Sequence, residues 1–295
     1  MKKVTLLLII VIITSCKQKI EEFYDNGNLK AVYYLKKSKK DGIYKEFFNN
    51  NILKETHIYF DGKKVDSSIF YHSPPLKNSV KRIQYWGDKR SLQVNYDIKG
   101  NKVSEGYTLN NKGNMNIDTW SFYSNNKKDS IREYLDIDNR SYLNQIWYLD
   151  SNGDTLKTKG NYFKITHKDT IALGEIIRFR VELYQPYFSY SSDAEVILPF
   201  YDEDLKDDFS NLYEIEIDTF HSLKNDKIPH PEVPEHVMQN HVIEFGLDYE
   251  EAGEKRIRGV LVEYNQRYKS NFINKDSLER VERRLYFDTT FFIKK

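Results

Sequence analysis

Three histidines, His230, His236 and His241, fall in one short stretch and alternate with Glu232, Glu235 and Glu244. Imidazoles and carboxylates at that density are the raw material of a zinc site or a general base. The spacing argues otherwise. A zinc-binding helix needs His-Glu-x-x-His, but Glu232 stands two residues after His230 and no histidine follows at the required distance. Pro231 and Pro234 also exclude the regular helix such a motif needs. The stretch therefore reads as a polar loop between strands. Asp202-Glu203-Asp204 and Asp207-Asp208 offer the oxygen ligands that calcium takes. The internal glycine and closing glutamate of an EF-hand loop are not at the right spacing, so the ordinary reading is a solvated acidic loop, with calcium as its alternative. Glycoside hydrolysis needs two carboxylates across a cleft, and among 44 acidic residues nothing singles out a pair. There is no Gly-x-Ser-x-Gly elbow and no phosphate loop. Trp86, Trp120 and Trp147 could stack on sugars from a sheet surface, although tryptophan at such spacing usually belongs to a core. No residue is assigned a catalytic, cofactor-binding or metal-binding role.

The strongest chemical signal is at the start of the chain. Lys2 and Lys3 precede an apolar run from Val4 to Ile13, which ends in Thr14-Ser15-Cys16. The run is too short to span a bilayer, which takes about 20 apolar residues, and it has the form of a signal peptide. Cys16 is the only cysteine, and its place after Ile13-Thr14-Ser15 resembles the lipobox of bacterial lipoproteins. The resemblance implies a signal peptide over residues 1–15, lipidation of Cys16, and anchoring to a membrane by several acyl chains where one is marginal. Lys17, rather than aspartate, follows the cysteine, which resembles outer-membrane sorting in Gram-negative bacteria. Both the periplasmic and the outward-facing orientation are left open. Cys16→Ala is expected to shift the protein from the detergent phase to the aqueous phase on fractionation, and equal recovery of mutant and parent in detergent would refute lipidation.

Loss of the signal peptide removes two lysines and takes the formal charge from +1 to −1. No strong net sign points to nucleic acid. With Cys16 acylated, no thiol is left for a disulfide or a nucleophile, so the fold must rest on its core. The chain has 23 Tyr and 17 Phe but 7 Pro, a balance that favours strands over disorder. Charge is divided unevenly. Residues 17–167 hold 26 Lys+Arg against 18 Asp+Glu, and residues 168–295 hold 17 against 26.

The basic half is punctuated by turns. Phe23-Tyr24-Asp25-Asn26-Gly27-Asn28-Leu29-Lys30 is echoed by Phe47-Phe48-Asn49-Asn50-Asn51-Ile52-Leu53-Lys54, with Asp41-Gly42 and Asp61-Gly62 as further hairpin signals. These residues resemble MORN-type repeats of bacterial proteins over about residues 22–65, with Asn51 standing where the repeat has glycine. Repeats of this type are filed with an antitoxin family, a label that carries no activity. Later turns at Gly100, Gly113, Asn126, Asn139 and Gly153 recur at steps of 13 or 14 residues. One turn plus one strand fills such a step, which predicts an antiparallel meander. Lysines near these turns suit the protection of sheet edges from pairing with one another, or contact with anionic headgroups.

The acidic half has cleaner strands. Ile177, Phe179, Val181 and Leu183 alternate with Arg178, Arg180 and Glu182. That period of two buries one face and wets the other. Ile215 and Ile217, then Ile243, Phe245 and Leu247, then Ile257 with Val260-Leu261-Val262, and finally Val281, Leu285, Phe287, Phe291 and Ile293 continue the pattern. The texture resembles immunoglobulin-like sandwiches appended to bacterial surface proteins, without their cysteine pair.

The expected fold is all-β: an elongated antiparallel repeat and meander sheet, followed by a β-sandwich of two antiparallel sheets. The expected segments are the signal peptide at 1–15, the lipidated cysteine and tether at 16–21, the repeat sheet at 22–166 and the sandwich at 167–295. Together these resemble an envelope lipoprotein of the Bacteroidota type, non-enzymatic and serving as a structural or protein-interaction module. The alternative is a carbohydrate-binding or carbohydrate-cleaving envelope protein. The expected partners are the membrane through the anchor and an envelope protein or glycan, with no nucleic acid and no cofactor.

Overall fold

The computed structural model describes residues 17–76, 79–188, 191–234, 237–268 and 278–295. The expected signal peptide and Cys16 lie outside the described residues, as do Glu235 and His236. Strands dominate, and within each of the chain's two compact units the strands up to residue 161 pair antiparallel, each long strand with the next along the chain. The expected meander follows from its turns. Gly27, Gly100, Gly113, Asn126, Asn139 and Gly153 all take the positive φ that a tight reversal demands, and asparagine tolerates this nearly as well as glycine. The chain divides into two compact units, Met1–Val103 and Ser104–Lys295. The change of strand texture near residue 167 thus falls inside the second unit.

The first unit carries β1 (Gln18–Phe23), β2 (Leu29–Lys36), β3 (Lys39–Lys40), β4 (Gly42–Phe47), β5 (Leu53–Phe60), β6 (Lys63–Tyr71), β7 (Val80–Tyr85) and β8 (Arg90–Tyr96). Where the sequence suggests a free tether, the chain is already a strand: Gln18 pairs with Leu35, and the pairing continues along β1. The sequence echo has a structural counterpart. Asn28 Nδ2 donates to Asn49 O at 2.6 Å, and Leu29 N donates to Asn51 Oδ1 at 3.2 Å. Tyr24 Oη reaches Phe47 O at 2.7 Å. The turns of the two echoed segments therefore bond to one another, and Asn51 supplies both a positive φ of 61° and a side-chain acceptor that glycine lacks.

The second unit continues with β9 (Lys102–Leu109), which begins at the boundary, β10 (Met115–Ser124), β11 (Lys127–Ile137), β12 (Arg140–Leu149) and β13 (Thr155–Asn161). Two smaller sheets follow. One has the order β14-β16-β19, from β14 (Phe163–Thr166), β16 (Ile177–Leu183) and β19 (Val242–Leu247). The other has the order β15-β21-β20-β17-β18, from β15 (Thr170–Ala172), β17 (Asp193–Pro199), β18 (Ile217–His221), β20 (Gly253–Tyr268) and β21 (Leu278–Lys294). They share one core in the manner of a sandwich. Ile177, Phe179, Val181 and Leu183 lie in it with Val196, Leu261, Leu285 and Ile293. Burying this much aliphatic and aromatic surface, at about 25 cal/mol per Å², supplies most of the stability.

Three details differ from expectation. β15 pairs with β21 in parallel, so the larger sheet is mixed rather than antiparallel. The strand expected over Tyr213–Ile217 begins only at Ile217, and the residues before it form turns. Third, the apolar strand β17 carried no period-two signal because it is covered on both sides. Val196 and Leu198 belong to the sandwich core, whereas Ile197 joins Val260, Val262 and Tyr286 in a second core on the opposite face. Leu135, Ile137 and Tyr142, from the meander strands β11 and β12, close that second core. A sheet with two buried faces reads as a continuous apolar run, as in Val260-Leu261-Val262.

Candidate functional site

Where β11 and β12 meet β21, the second unit forms a cavity of about 430 Å³ that is open to solvent on one side. Its polar lining consists of Glu133, Asp136, Asp207 and Asp288, with Gln145 and Thr289, and among the described residues no lysine or arginine lines it. Its apolar walls are Phe163, Phe209, Tyr286 and Phe287, with Leu135, Ile137 and Ile165. β11 brings Glu133 to the cavity on the same sequence parity as Leu135 and Ile137. Neutral amides hold the glutamate: Asn144 Nδ2 donates to Oε2 at 2.6 Å and Gln145 Nε2 at 3.0 Å. Gln145 is fixed in turn by accepting from Phe163 N at 3.0 Å.

The other carboxylates have cationic partners. Asp136 takes Lys112 on Oδ2, while its Oδ1 is buried without a partner. Asp288 receives Arg256 through Nε and Nη2 at 2.9 and 2.6 Å. Asp207 receives Arg258 at 3.2 Å. Glu133 has no ion-pair partner among the described residues. Such a site offers a negative, partly dry surface with aromatic faces nearby, which suits a cation on an apolar stem.

The residues singled out in the sequence are dispersed. His230 pairs with Asp226 at 2.7 Å and faces Glu232 at 3.4 Å. His241 lies apart, 2% exposed, with Nε2 at 3.0 Å from Ser192 Oγ. Glu244 is bound to Arg180. The described residues contain no group of three or more His, Cys, Asp or Glu side chains able to hold a metal ion. The acidic segment at 202–208 already holds a cation, Arg258, whose guanidinium bonds both carboxylate oxygens of Asp202 at about 3.0 Å. Trp120 is 2% exposed and lies flat on Gly106, where a Cβ would come within 2.3 Å of the indole. Trp86 donates to Ser68 Oγ at 2.6 Å, and Trp147 leans on Tyr162.

Two serine–histidine–glutamate groupings escaped the sequence reading because their serines are brought to the other members from separate segments of the chain. In the first unit, Ser68 Oγ lies 2.7 Å from His57 Nδ1, and His57 Nε2 lies 3.2 Å from Glu55. Ser68 is fully buried, and its oxygen also accepts from Trp86, so no substrate reaches it. In the second unit, Ser192 Oγ donates to Glu263 at 2.8 Å and faces His241. A hydroxyl that gives its proton to a carboxylate leaves histidine the donor rather than the base. Glu263 is fully buried and also accepts the backbone amides of Tyr187 and Phe188, at 2.7 and 2.9 Å. Both groupings are buried networks that pin loops and strands.

His241 has a measurable consequence. Burial holds its pKa below the usual imidazole value, and the field of Glu263 only partly opposes this. The unfolded chain takes a proton near pH 6.5, and the folded chain resists it. Stability from this residue is therefore present above that pH and lost as pH falls toward 5. The parent melting temperature is expected to drop between pH 7 and 5 more steeply than that of His241→Gln. Parallel curves would refute the assignment.

No helix among the described residues is long and apolar enough to cross a membrane. No family model, no curated protein and no solved structure matches the chain.

Proposed function

We propose that the chain is a bacterial envelope lipoprotein that works as a non-enzymatic protein-interaction module, with its second unit receiving a basic side chain of the partner. The leader ending in Thr14-Ser15-Cys16 supports the anchor at Cys16, and Lys17 supports the outer membrane as its destination. The MORN-type resemblance of residues 22–65, with its turn-to-turn bonds, supports a repeat scaffold, and the resemblance of residues 167–295 to immunoglobulin-like sandwiches supports a recognition domain. The observation that carries the proposal is the cavity with four carboxylates, aromatic walls and, among the described residues, no basic side chain lining it. Attraction of a cation into such a place strengthens as water leaves.

Titration of the full chain in detergent with Nα-acetyl-arginine amide and Nα-acetyl-lysine amide tests this. Saturable binding is expected, weakened about tenfold or more by Glu133→Gln, because hydrogen bonds to charged groups contribute about 1.5–3 kcal/mol. Binding unchanged by that substitution, or absent, would remove the cavity from the proposal.

One observation favours a carbohydrate reading second. Phe200 and Tyr201 stand about half exposed beside Asp202, Glu203 and Arg256, along another cavity of about 430 Å³. Aromatic faces flanked by planar polar groups suit a sugar ring. A neutral oligosaccharide whose binding is lost in Tyr201→Ala but indifferent to Glu133→Gln would favour that reading.

A further inference from the structure

We propose that the second unit has another binding site, for an oxyanion borne on a small ligand, in the cavity over the outer side of the β14-β16-β19 sheet. The cavity has a volume of about 630 Å³ and lies between the end of β14, the middle of β16 and β19, and the loop after β18. That volume is in the range of small-molecule sites, about 300–1,000 Å³. Its polar lining is mixed, with Lys168, Arg178, Arg180, His167 and His230 against Asp226 and Glu244.

The pairing within this set decides which charges remain. Arg180 is committed: its Nε donates to Glu182 at 2.6 Å and its Nη1 to Glu244. His230 is committed as well, with Asp226 on one ring nitrogen and Glu232 facing the other. The hydrogen bond to Asp226 raises its pKa and favours the imidazolium. His167 bonds Thr289 Oγ1 through Nε2 at 3.0 Å and faces Lys168 O through Nδ1. Both carboxylates lining the cavity are thus consumed by Arg180 and His230. Lys168 and Arg178 are left without an ion-pair or hydrogen-bond partner for their side chains among the described residues.

The reason for Arg178 lies in the sheet register. β16 places Arg178 and Arg180 on the same face, two residues apart. Opposite Arg180 on β19 stands Glu244, whereas opposite Arg178 stands Gly246. The glycine supplies no counter-charge, and the place its side chain would take is filled by Ile176, whose Cγ2 would lie 2.7 Å from a Cβ there. The position opposite Arg178 therefore holds an apolar methyl and no carboxylate. A guanidinium with no carboxylate opposite it and an ammonium, both lining one cavity, supply the forked and single donors that phosphate, sulfate or carboxylate accept. These anions share the chemistry that the cavity reads. The ligand carrying them differs from the cation assigned to the acidic cavity, and this site does not depend on that one.

The test is titration of the full chain in detergent with inorganic phosphate, sulfate and galacturonate, followed by calorimetry or backbone-amide shifts. Saturable binding of at least one of them is expected, with smaller affinity at higher salt. Arg178→Gln should weaken it about tenfold or more. Lys168→Gln should weaken it less, and Glu133→Gln should leave it unchanged. Binding of all three alike identifies the oxyanion alone as the ligand, and binding of galacturonate alone adds the sugar ring as a determinant. Arg178 and Lys168 are exposed, so their two variants should retain the parent melting temperature. No saturable binding of any probe, or equal binding in parent, Arg178→Gln and Lys168→Gln, would overturn the site and leave these cations as solubilising charges.

Discussion

Asn144→Ala is expected to destabilise the second unit by about 3–5 kcal/mol, enough to unfold a marginal domain. Asn144 is fully buried, and its amide acts as a piece of strand backbone. Nδ2 donates to Tyr286 O at 2.8 Å, and Tyr286 N donates to Oδ1 at 2.7 Å. The same Nδ2 donates to Glu133. One side chain thus ties meander strand β12 to sandwich strand β21, and also holds the carboxylate of the acidic cavity. Truncation leaves a buried N–H and a buried C=O unpaired, each costing about 1–3 kcal/mol. Neighbouring bonds do not replace them. Tyr142 Oη already donates to Arg284 O, and Arg283 already donates to Leu143 O and Asn144 O. Urea denaturation checks the expectation, and a loss below about 1 kcal/mol would show that the tie between β12 and β21 lies elsewhere. Even if the variant folds, its affinity for arginine amide should fall, because Glu133 loses its orienting donor.

The second large effect is expected at Arg258. Its side chain is 5% exposed and makes a two-pronged pair with Asp202, with further bonds to Asp202 O at 2.6 Å and Leu205 O at 2.8 Å. The 201–212 segment is wrapped around this guanidinium. Leu205 and Leu212 from the segment enter the second core. Arg258→Ala removes the cation and leaves two carbonyls and the carboxylates of Asp202 and Asp207 without it, at a cost of about 3–5 kcal/mol. Arg258→Lys should recover only part, since an ammonium cannot span the forked contacts. Limited proteolysis should cut the 201–212 segment in Arg258→Ala far faster than in the parent. Equal rates would mean that leucine burial alone holds the segment. Added calcium is not expected to restore the variant, because the geometry around Asp202 is built for a planar donor.

These two residues show where sequence reading stopped. The acidic segment was visible as a charge cluster, and its partner was not. Asp202 and Arg258 are separated by 56 residues, and nothing near Arg258 marks it as buried, since Arg256 two residues earlier is half exposed. Glu133 left a faint trace as an acid on the parity of Leu135 and Ile137, but strands often carry one polar residue on an apolar face. Gly246 left none, because its meaning depends on standing opposite Arg178 on another strand. The histidines misled by proximity in sequence: His230 and His241 end in separate environments because β-structure separates residues that a helix would bring together.

What the sequence determined by itself is local. Asn and Gly at positive φ set the turns, and turn spacing set a meander. Alternation over Ile177–Leu183 set which side chains entered the core, and the structure buries those four apolar residues. Each of these depends on a few consecutive residues and one backbone preference, so a single chain displays it. The tertiary structure alone decided that β17 and β20 are covered on both faces, that Asn144 substitutes for a strand backbone, and that Glu133 stands in a cavity where no described basic side chain reaches the lining. Those features join residues as far apart as 142 positions. They exist only after two layers have packed, because partner, register and desolvation are properties of the contact rather than of either segment.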